Sequence, residues 1–334
     1  MTVRFGLLGA GRIGKVHAKA ISADGNATLV AVADAYPQAA SAIAVQYGCD
    51  IRSVEAILAA SDIDAVVICT PTDTHADLIE AFAKAGKAIF CEKPIDLSLA
   101  RVRACLKVVR DTKAVLMVGF NRRFDPHFAA VRATIDAGTL GDVEMITITS
   151  RDPGAPPLDY IARSGGIFRD MTIHDFDMAR YLLGEEVSEV SAMAAVLTDP
   201  AIRKAGDFDS VQVMLKTATG KQVMISNSRR ATYGYDQRIE VHGSLGAATA
   251  ENQRPFMIEV ATSAGYTRPP LHDFFMTRYT EAYAAEIAAF IAAVGGAGAA
   301  SPSGEDGLAA LALAEAALKS VAEGRVVTVA EVMA

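Results

Sequence analysis

Six residues restrict this chain more than any others. Gly9-Ala10-Gly11-Arg12-Ile13-Gly14 follows an apolar run at residues 3–8 and opens a helical pattern at 13–23. At such a junction the glycines of G-x-G-x-x-G permit a tight turn, let the backbone approach a pyrophosphate, and bring the helix close to the strand. The helix start then directs free N–H groups and the positive end of its dipole at the phosphates. The second apolar run ends in Asp34, placed to accept hydrogen bonds from an adenosine ribose. These residues predict a dinucleotide site made by Gly9, Gly11, Arg12, Ile13, Gly14 and Asp34. The Asp34 charge repels a 2′-phosphate, and Ala35 and Tyr36 bring no replacing cation, so NAD is expected rather than NADP.

The turn begins a series. Continuous apolar runs at 3–8, 28–33, 65–69, 88–91 and 115–120 alternate with helical patterns at 13–23, 38–47, 54–60, 74–85 and 99–112. Unbroken runs suit strands covered on both faces, and the rhythm predicts a doubly wound α/β domain over residues 1–120. Beyond Phe120 a helix at 126–137, a strand at 143–150, a Pro- and Gly-rich loop at 152–166 and a helix at 170–183 follow. Strands are then expected in succession at 187–197, 210–217, 222–228, 238–242 and 257–260, and helices at 277–294 and 307–323 close the chain. Connections as short as Thr219-Gly220 predict a mostly antiparallel sheet. The expected second domain is α+β over 121–334, its last helix a candidate to pack back on the first domain.

Composition confines the function classes. The 334 residues are 51% hydrophobic and 21% charged, as in a globular protein. With 32 Lys+Arg against 39 Asp+Glu the net charge is −7, and the basic residues are scattered, which argues against a nucleic-acid partner. The charge-poor stretch toward the C-terminus is broken by Gly295, Gly296, Gly298 and Pro302, so no membrane span is expected. Nothing with the pattern of an export signal precedes the first strand. Cys49, Cys69, Cys91 and Cys105 lack C-x-x-C spacing and read as inert thiols of a cytoplasmic protein.

Two further segments carry titratable groups. The fifth apolar run ends in Cys91-Glu92-Lys93-Pro94, and the C-terminal ends of parallel strands are where ligands bind; Lys93 then faces the crevice, unless it is a surface lysine. Asp170 and His174 lie four apart on a helix, one turn apart on one face. A carboxylate beside an imidazole fixes its tautomer and raises its basicity, as a general base needs. The same spacing also suits an N-cap aspartate followed by a surface histidine. A metal site from His174, Asp175 and Asp177 fits poorly, since neighbouring positions diverge around a helix, and no metal is expected.

In chain order, G-x-G-x-x-G, Asp34, the turn from Thr70-Pro71 to His75, Glu92-Lys93-Pro94 and Asp170-x-x-x-His174 form a set. Over nearly the whole chain it resembles the Gfo/Idh/MocA oxidoreductase family. The segments CEKPIDLSL, GFNRRFDPHF, SRDPGAPP, GGIFRDMTIHDFDMARYL and ATYGYDQRIEVHG look like those of bacterial members that oxidise inositol. The resemblance implies a Rossmann domain followed by a domain with an open, mostly antiparallel sheet, which commonly forms the interface of a homotetramer. It implies that Lys93, Asp170 and His174 are catalytic and also meet the substrate. Thr70, Pro71, His75, Glu92 and Lys93 would line the cofactor cleft, and Arg122, Tyr233 and Tyr235 would approach the substrate. Arg123 is an alternative to Arg122, and Asn121 falls on the nicotinamide side.

The implied activity is NAD-dependent oxidation of a ring secondary alcohol of myo-inositol to the 2-keto inosose. His174 acts as base, Asp170 orients it, and Lys93 bonds the reacting oxygen. The alternatives are scyllo-inositol, another cyclic polyol or an aldose such as glucose as substrate, or a protein that senses NAD(H) or a sugar without turnover. His17, His127 and His242 show no partner pattern and read as structural or exposed, and His272 lies in a loop of unassigned role.

Overall fold

The structure is a computed structural model describing residues 2–334. Two compact units divide the chain: the first runs up to Phe124 and takes in Thr280–Leu311, and the second comprises Asp125–Tyr279 and Ala312–Ala334. The first unit begins with β1 (Val3–Leu8), α1 (Arg12–Ala23), β2 (Ala27–Ala33), α2 (Pro37–Tyr47), β3 (Asp50–Ile51) and α3 (Val54–Ala59). It continues through β4 (Ala65–Ile68), α4 (His75–Lys84), β5 (Ala88–Cys91), α5 (Leu99–Thr112), β6 (Leu116–Val118) and a 3₁₀ turn at Asn121–Phe124. The strands form one parallel sheet in the order β3-β2-β1-β4-β5-β6. Every residue of β4 and β5 is buried, the outcome expected of unbroken apolar runs covered on both faces. From β1 the chain winds outward to β3 and returns to lay β4 against β1. That reversal opens a crevice at the C-terminal ends of the two strands.

The second unit contains α6 (Pro126–Asp136), β7 (Val143–Arg151), α7 (Leu158–Ser164), a π-helical turn (Phe168–Thr172), α8 (Ile173–Leu183) and β8 (Val187–Ala195). Then come α9 (Pro200–Lys204), β9 (Ser210–Thr217), β10 (Gln222–Ser228), β11 (Asp236–Gly243), β12 (Gly246–Ala250), the hairpin β13 (Val260–Thr262) and β14 (Gly265–Thr267), and α10 (Phe275–Arg278). Helix α11 (Thr280–Val294) belongs to the first unit; α12 (Gly304–Glu323) contains the boundary between the units, and β15 (Val327–Thr328) and α13 (Val329–Met333) belong to the second. The large sheet runs β12-β11-β7-β10-β9-β8-β15 and is antiparallel except where β7 meets β10. Along β9 buried and exposed residues alternate, so one face is covered and the other is open.

Several expectations change. The segment 280–311, read by sequence as part of the second domain, belongs with the first unit because Ile287, Phe290 and Ile291 of α11 join its apolar core. The expected loop at 152–166 contains α7, and the strand expected at 257–260 begins only at Val260, in the separate β13–β14 hairpin. Strand β12, rich in alanine, was not anticipated, since its stability comes from pairing with β11. Cys69, Cys91 and Cys105 are buried, and burial pushes the Cys105 thiol up to about 12. No helix among the described residues is long and apolar enough to cross a membrane.

Candidate active-site residues

In the first unit the glycine turn sits at the reversal point of the sheet. Gly9 has φ 97°, and a Cβ there would stand 2.5 Å from the Cys69 carbonyl oxygen and 2.9 Å from the Thr70 nitrogen, at the end of β4. A Cβ on Gly14 would strike the carbonyl group of Gly9, whereas one on Gly11 would meet nothing within 4 Å. The first and third glycines are therefore required by packing, and the second faces open space. Gly11 is also the N-cap of α1 and supplies no side-chain acceptor, and the first turn holds no acidic residue. By contrast α3, α5 and α6 are capped by Ser53, Ser98 and Asp125. The N–H groups of α1 thus remain for an anion. Asp34 ties the turn to β2: its Oδ2 accepts from the Ala10 N–H at 2.6 Å and its Oδ1 from the Tyr36 N–H at 2.7 Å. Arg12 is exposed at the turn, and Ile13 packs partly against the core. These residues fit NAD: an open cradle for a pyrophosphate and a fixed carboxylate for a ribose.

Thr70 and Pro71 follow β4, where the Thr70 and Thr74 hydroxyls lie 2.6 Å apart and Thr74 donates to the Pro71 carbonyl at 2.7 Å. His75 is buried, with Nε2 2.8 Å from the Thr70 carbonyl oxygen and Nδ1 2.8 Å from that of Pro94. Burial pushes its pKa down, against the pull of the two carbonyls. His75 thus joins the turn after β4 to the segment after β5, a positioning role that spacing alone did not reveal. Glu92 and Lys93 end that strand half-buried. The Glu92 carboxylate receives His17 Nε2 at 2.6 Å, a partnership between groups 75 residues apart.

In the second unit Asp170 lies in the π-helical turn and His174 in the first turn of α8. Asp170 Oδ1 accepts from the Tyr160 hydroxyl at 2.8 Å, and Oδ2 lies 3.4 Å from both terminal nitrogens of Arg229. Arg229 is only 1% exposed and also faces Asp207 at 3.7 Å. Asp207 in turn accepts from the Ile167 N–H at 2.9 Å, and a Cβ on Gly166 would stand 2.6 Å from its Oδ1. Gly166, which like Gly165 has positive φ, therefore makes room for a distant carboxylate at the helix start. Behind His174, the buried Asp175 accepts from Ser150 at 2.6 Å and Asn227 at 2.7 Å. Asp175 is thus committed to anchoring α8 on β7 and β10. Tyr160 and Arg229 escaped the sequence reading. One stood in the expected loop, and the other lay among basic residues that the sequence shows only as scattered.

The remaining expected residues divide. Arg123 is paired with Asp306 at 3.0 Å, while Arg122 and Asn121 are buried. Tyr233 is 48% exposed, donates to Asp236 at 2.6 Å and accepts from Arg151 at 3.0 Å. Burial and the Asp236 charge raise its pKa. Tyr235 is buried, its ring edge-on to Phe274 and Tyr279. His127 is exposed, and His242 faces Glu144 at 3.6 Å. The His272 carbonyl accepts from the Tyr235 N–H at 2.9 Å.

A parallel sheet whose glycine turn, open helix start and Asp34 carboxylate meet at the reversal point is the arrangement of a dinucleotide-binding domain. Residues 3–120 match the oxidoreductase family with an NAD-binding Rossmann fold, and residues 128–249 match the GFO/IDH/MocA C-terminal domain. The chain belongs to the Gfo/Idh/MocA family of oxidoreductases. It is 76% identical over 330 residues to the inositol 2-dehydrogenase of Rhizobium meliloti strain 1021, covering 99% of this chain and 100% of that one. Among solved structures it is similar to a myo-inositol dehydrogenase from Corynebacterium glutamicum (TM-score 0.94, 44% identity, 98% and 99% of the two chains). It is also similar to a scyllo-inositol dehydrogenase from Lactobacillus casei solved with NAD(H) and scyllo-inositol (TM-score 0.92, 28% identity, 99% and 100%).

Proposed function

We propose that this chain is an NAD-dependent inositol 2-dehydrogenase that oxidises a ring hydroxyl of myo-inositol to the 2-keto inosose. The observation that carries the reading is the full-length kinship with the Rhizobium meliloti enzyme, and the family resemblance implies that Lys93, Asp170 and His174 are the catalytic lysine, aspartate and histidine. NAD, which Gly9, Gly11, Gly14 and Asp34 would hold, would supply the hydride acceptor for the carbinol carbon. His174 removes the hydroxyl proton, and Asp170 orients the imidazole and stabilises its cationic form. Tyr160 and Arg229 hold Asp170. Lys93 hydrogen-bonds the reacting oxygen and offsets the charge that develops there. Arg122, Tyr233 and Tyr235 serve the other ring hydroxyls, the contacts by which one epimer is told from another.

A cytoplasmic homo-oligomer is the setting we infer. The open face of the large sheet carries Met145, Met193, Met214 and Met224, each at least 43% exposed, with Met224 paired to Met214 across β9 and β10. A flat methionine-lined face supports association through the sheet, and the family resemblance implies a tetramer.

Initial rates of NADH formation with myo-, scyllo- and chiro-inositol and with glucose, each with NAD and NADP, test the proposal. A myo-inositol preference with NAD is expected. Preference for another polyol or for glucose overturns the substrate, and NADH binding without any turnover points to a sensor.

A further inference from the structure

Glu286, on α11, is fully buried, and neither of its carboxylate oxygens has a hydrogen-bond partner. It faces His17 of α1 and Glu92 at the end of β5; one ligand atom from each of the three lies within 4.8 Å of the others. Two ionised carboxylates that close, largely shielded from water and with a single imidazole beside them, repel each other at a cost that bare burial only increases. A single proton on one of them removes both penalties and turns an orphaned acceptor into a donor. Glu286 is the carboxyl to carry it, because the Glu92 oxygen already holds the His17 ring at 2.6 Å and its side chain is 12% exposed. Burial, and then the charge of Glu92, push the Glu286 carboxyl well above the usual range.

The surroundings leave this cluster little freedom. The His17 ring is held edge-on by Phe90 and Tyr283 at centroid distances of 5.0 and 5.6 Å. The Glu92 carboxylate lies against Gly119, where a Cβ would approach it to 3.1 Å. His17 Nδ1 has no partner; a bare lone pair there costs less than a stranded N–H, which places the donated hydrogen on Nε2, facing Glu92. A metal ion fits the site less well. A ligating histidine donates its other N–H to a second partner, and His17 has none.

We propose that Glu286 is a positioning residue: as a neutral carboxylic acid it donates its hydroxyl to Glu92 opposite His17, and this two-sided clasp fixes the Glu92-Lys93 segment and with it the Lys93 ammonium. Neither Glu286 oxygen makes that bond as the side chain stands, and the group lies within 4.8 Å of its partners, so the clasp requires the Glu286 side chain to turn toward Glu92. The inference rests on the reading of Lys93 as the group that bonds the reacting oxygen.

Infrared spectra of the full chain at neutral pH, with those of Glu286→Gln subtracted, should contain the carbonyl band of a protonated carboxyl that shifts in heavy water. Its absence overturns the proposal. Glu286→Gln, neutral and able to donate, should keep turnover within about threefold. Glu286→Leu, neutral but unable to donate, should lose about 10- to 100-fold in turnover, the scale of a hydrogen bond to a charged group, with a smaller change in substrate KM. Equal losses in the two variants overturn the clasp, as does zinc found at one ion per purified chain and lost in Glu286→Gln. If Glu286→Leu fails to fold, the infrared band and the glutamine variant still decide. Lys93→Met tests the underlying reading separately: retained turnover there removes the role of Lys93 while leaving the protonated carboxyl intact.

Discussion

In the first unit the groups offered to the cofactor are largely backbone, and the side chain that braces the turn, Asp34, reaches a residue only 24 positions away. In the second unit Asp170 is held by Tyr160, 10 residues before it, and by Arg229, 59 residues after it. A phosphate cradle needs only free N–H groups and an absent Cβ, and a short motif specifies both. An acid–base group needs fixed charge and orientation, and these come from segments joined only when the large sheet assembles. The first construction should fail at single glycines, and the second should weaken in proportion to the buried charges around it.

The largest expected effect falls in the second unit. His174→Ala should lose about 10²–10⁴-fold in turnover while NADH affinity, measured by titration, stays near that of the unaltered chain. Near-normal turnover would remove the base. Arg229→Met leaves Asp170 and Asp207 facing each other without their buried cation and should destabilise by about 3–5 kcal/mol in denaturant unfolding. A loss below 1 kcal/mol would mean that this network holds nothing in place.

The glycines sharpen the contrast. Gly9→Ala is strained in both φ and space and should lower the melting temperature. Gly11→Ala meets no atom; it should melt normally and yet bind NAD about tenfold more weakly, as a crowded phosphate approach predicts. Equal melting temperatures for both would overturn the assignment. Asp34→Ser should raise the use of NADP relative to NAD in paired rate measurements, and an unchanged ratio removes Asp34 from cofactor choice.

The smallest effect is acid sensitivity, present in both units. Burial would raise Asp306, but Arg123 and bonds from Ser303 hold it at about 2; burial would raise Asp209, but donors from Leu197, Thr198 and Asp199 hold it at about 2. Both folded values lie below the unfolded one. The stability they contribute is therefore present above about pH 4 and is lost as pH falls toward 2. Asp209→Asn should flatten part of that loss in thermal melts between those values.

The comparison also explains what was readable beforehand. Unbroken apolar runs announced β4 and β5 because parallel strands bury both faces, and the short Thr219-Gly220 connection announced the antiparallel pairing of β9 with β10. The β13–β14 hairpin and β12 gave no such signal: their pattern is weak, and β12 exists through its partner β11. His17 read as structural or exposed and Glu286 carried no reading, since nothing local records that both lie close to Glu92.

Sequence alone determined the glycine turn, the parallel α/β order and the preference expected from Asp34, because each rests on local sterics, charge or periodicity; Lys93, Asp170 and His174 stood out as a set only through the family resemblance. Tertiary structure decided which side chains hold them. His75 between two carbonyls, Arg229 under Asp170, and Glu286 against Glu92 and His17 depend on contacts between distant segments, and the energy of a buried polar group is set by its neighbours in space.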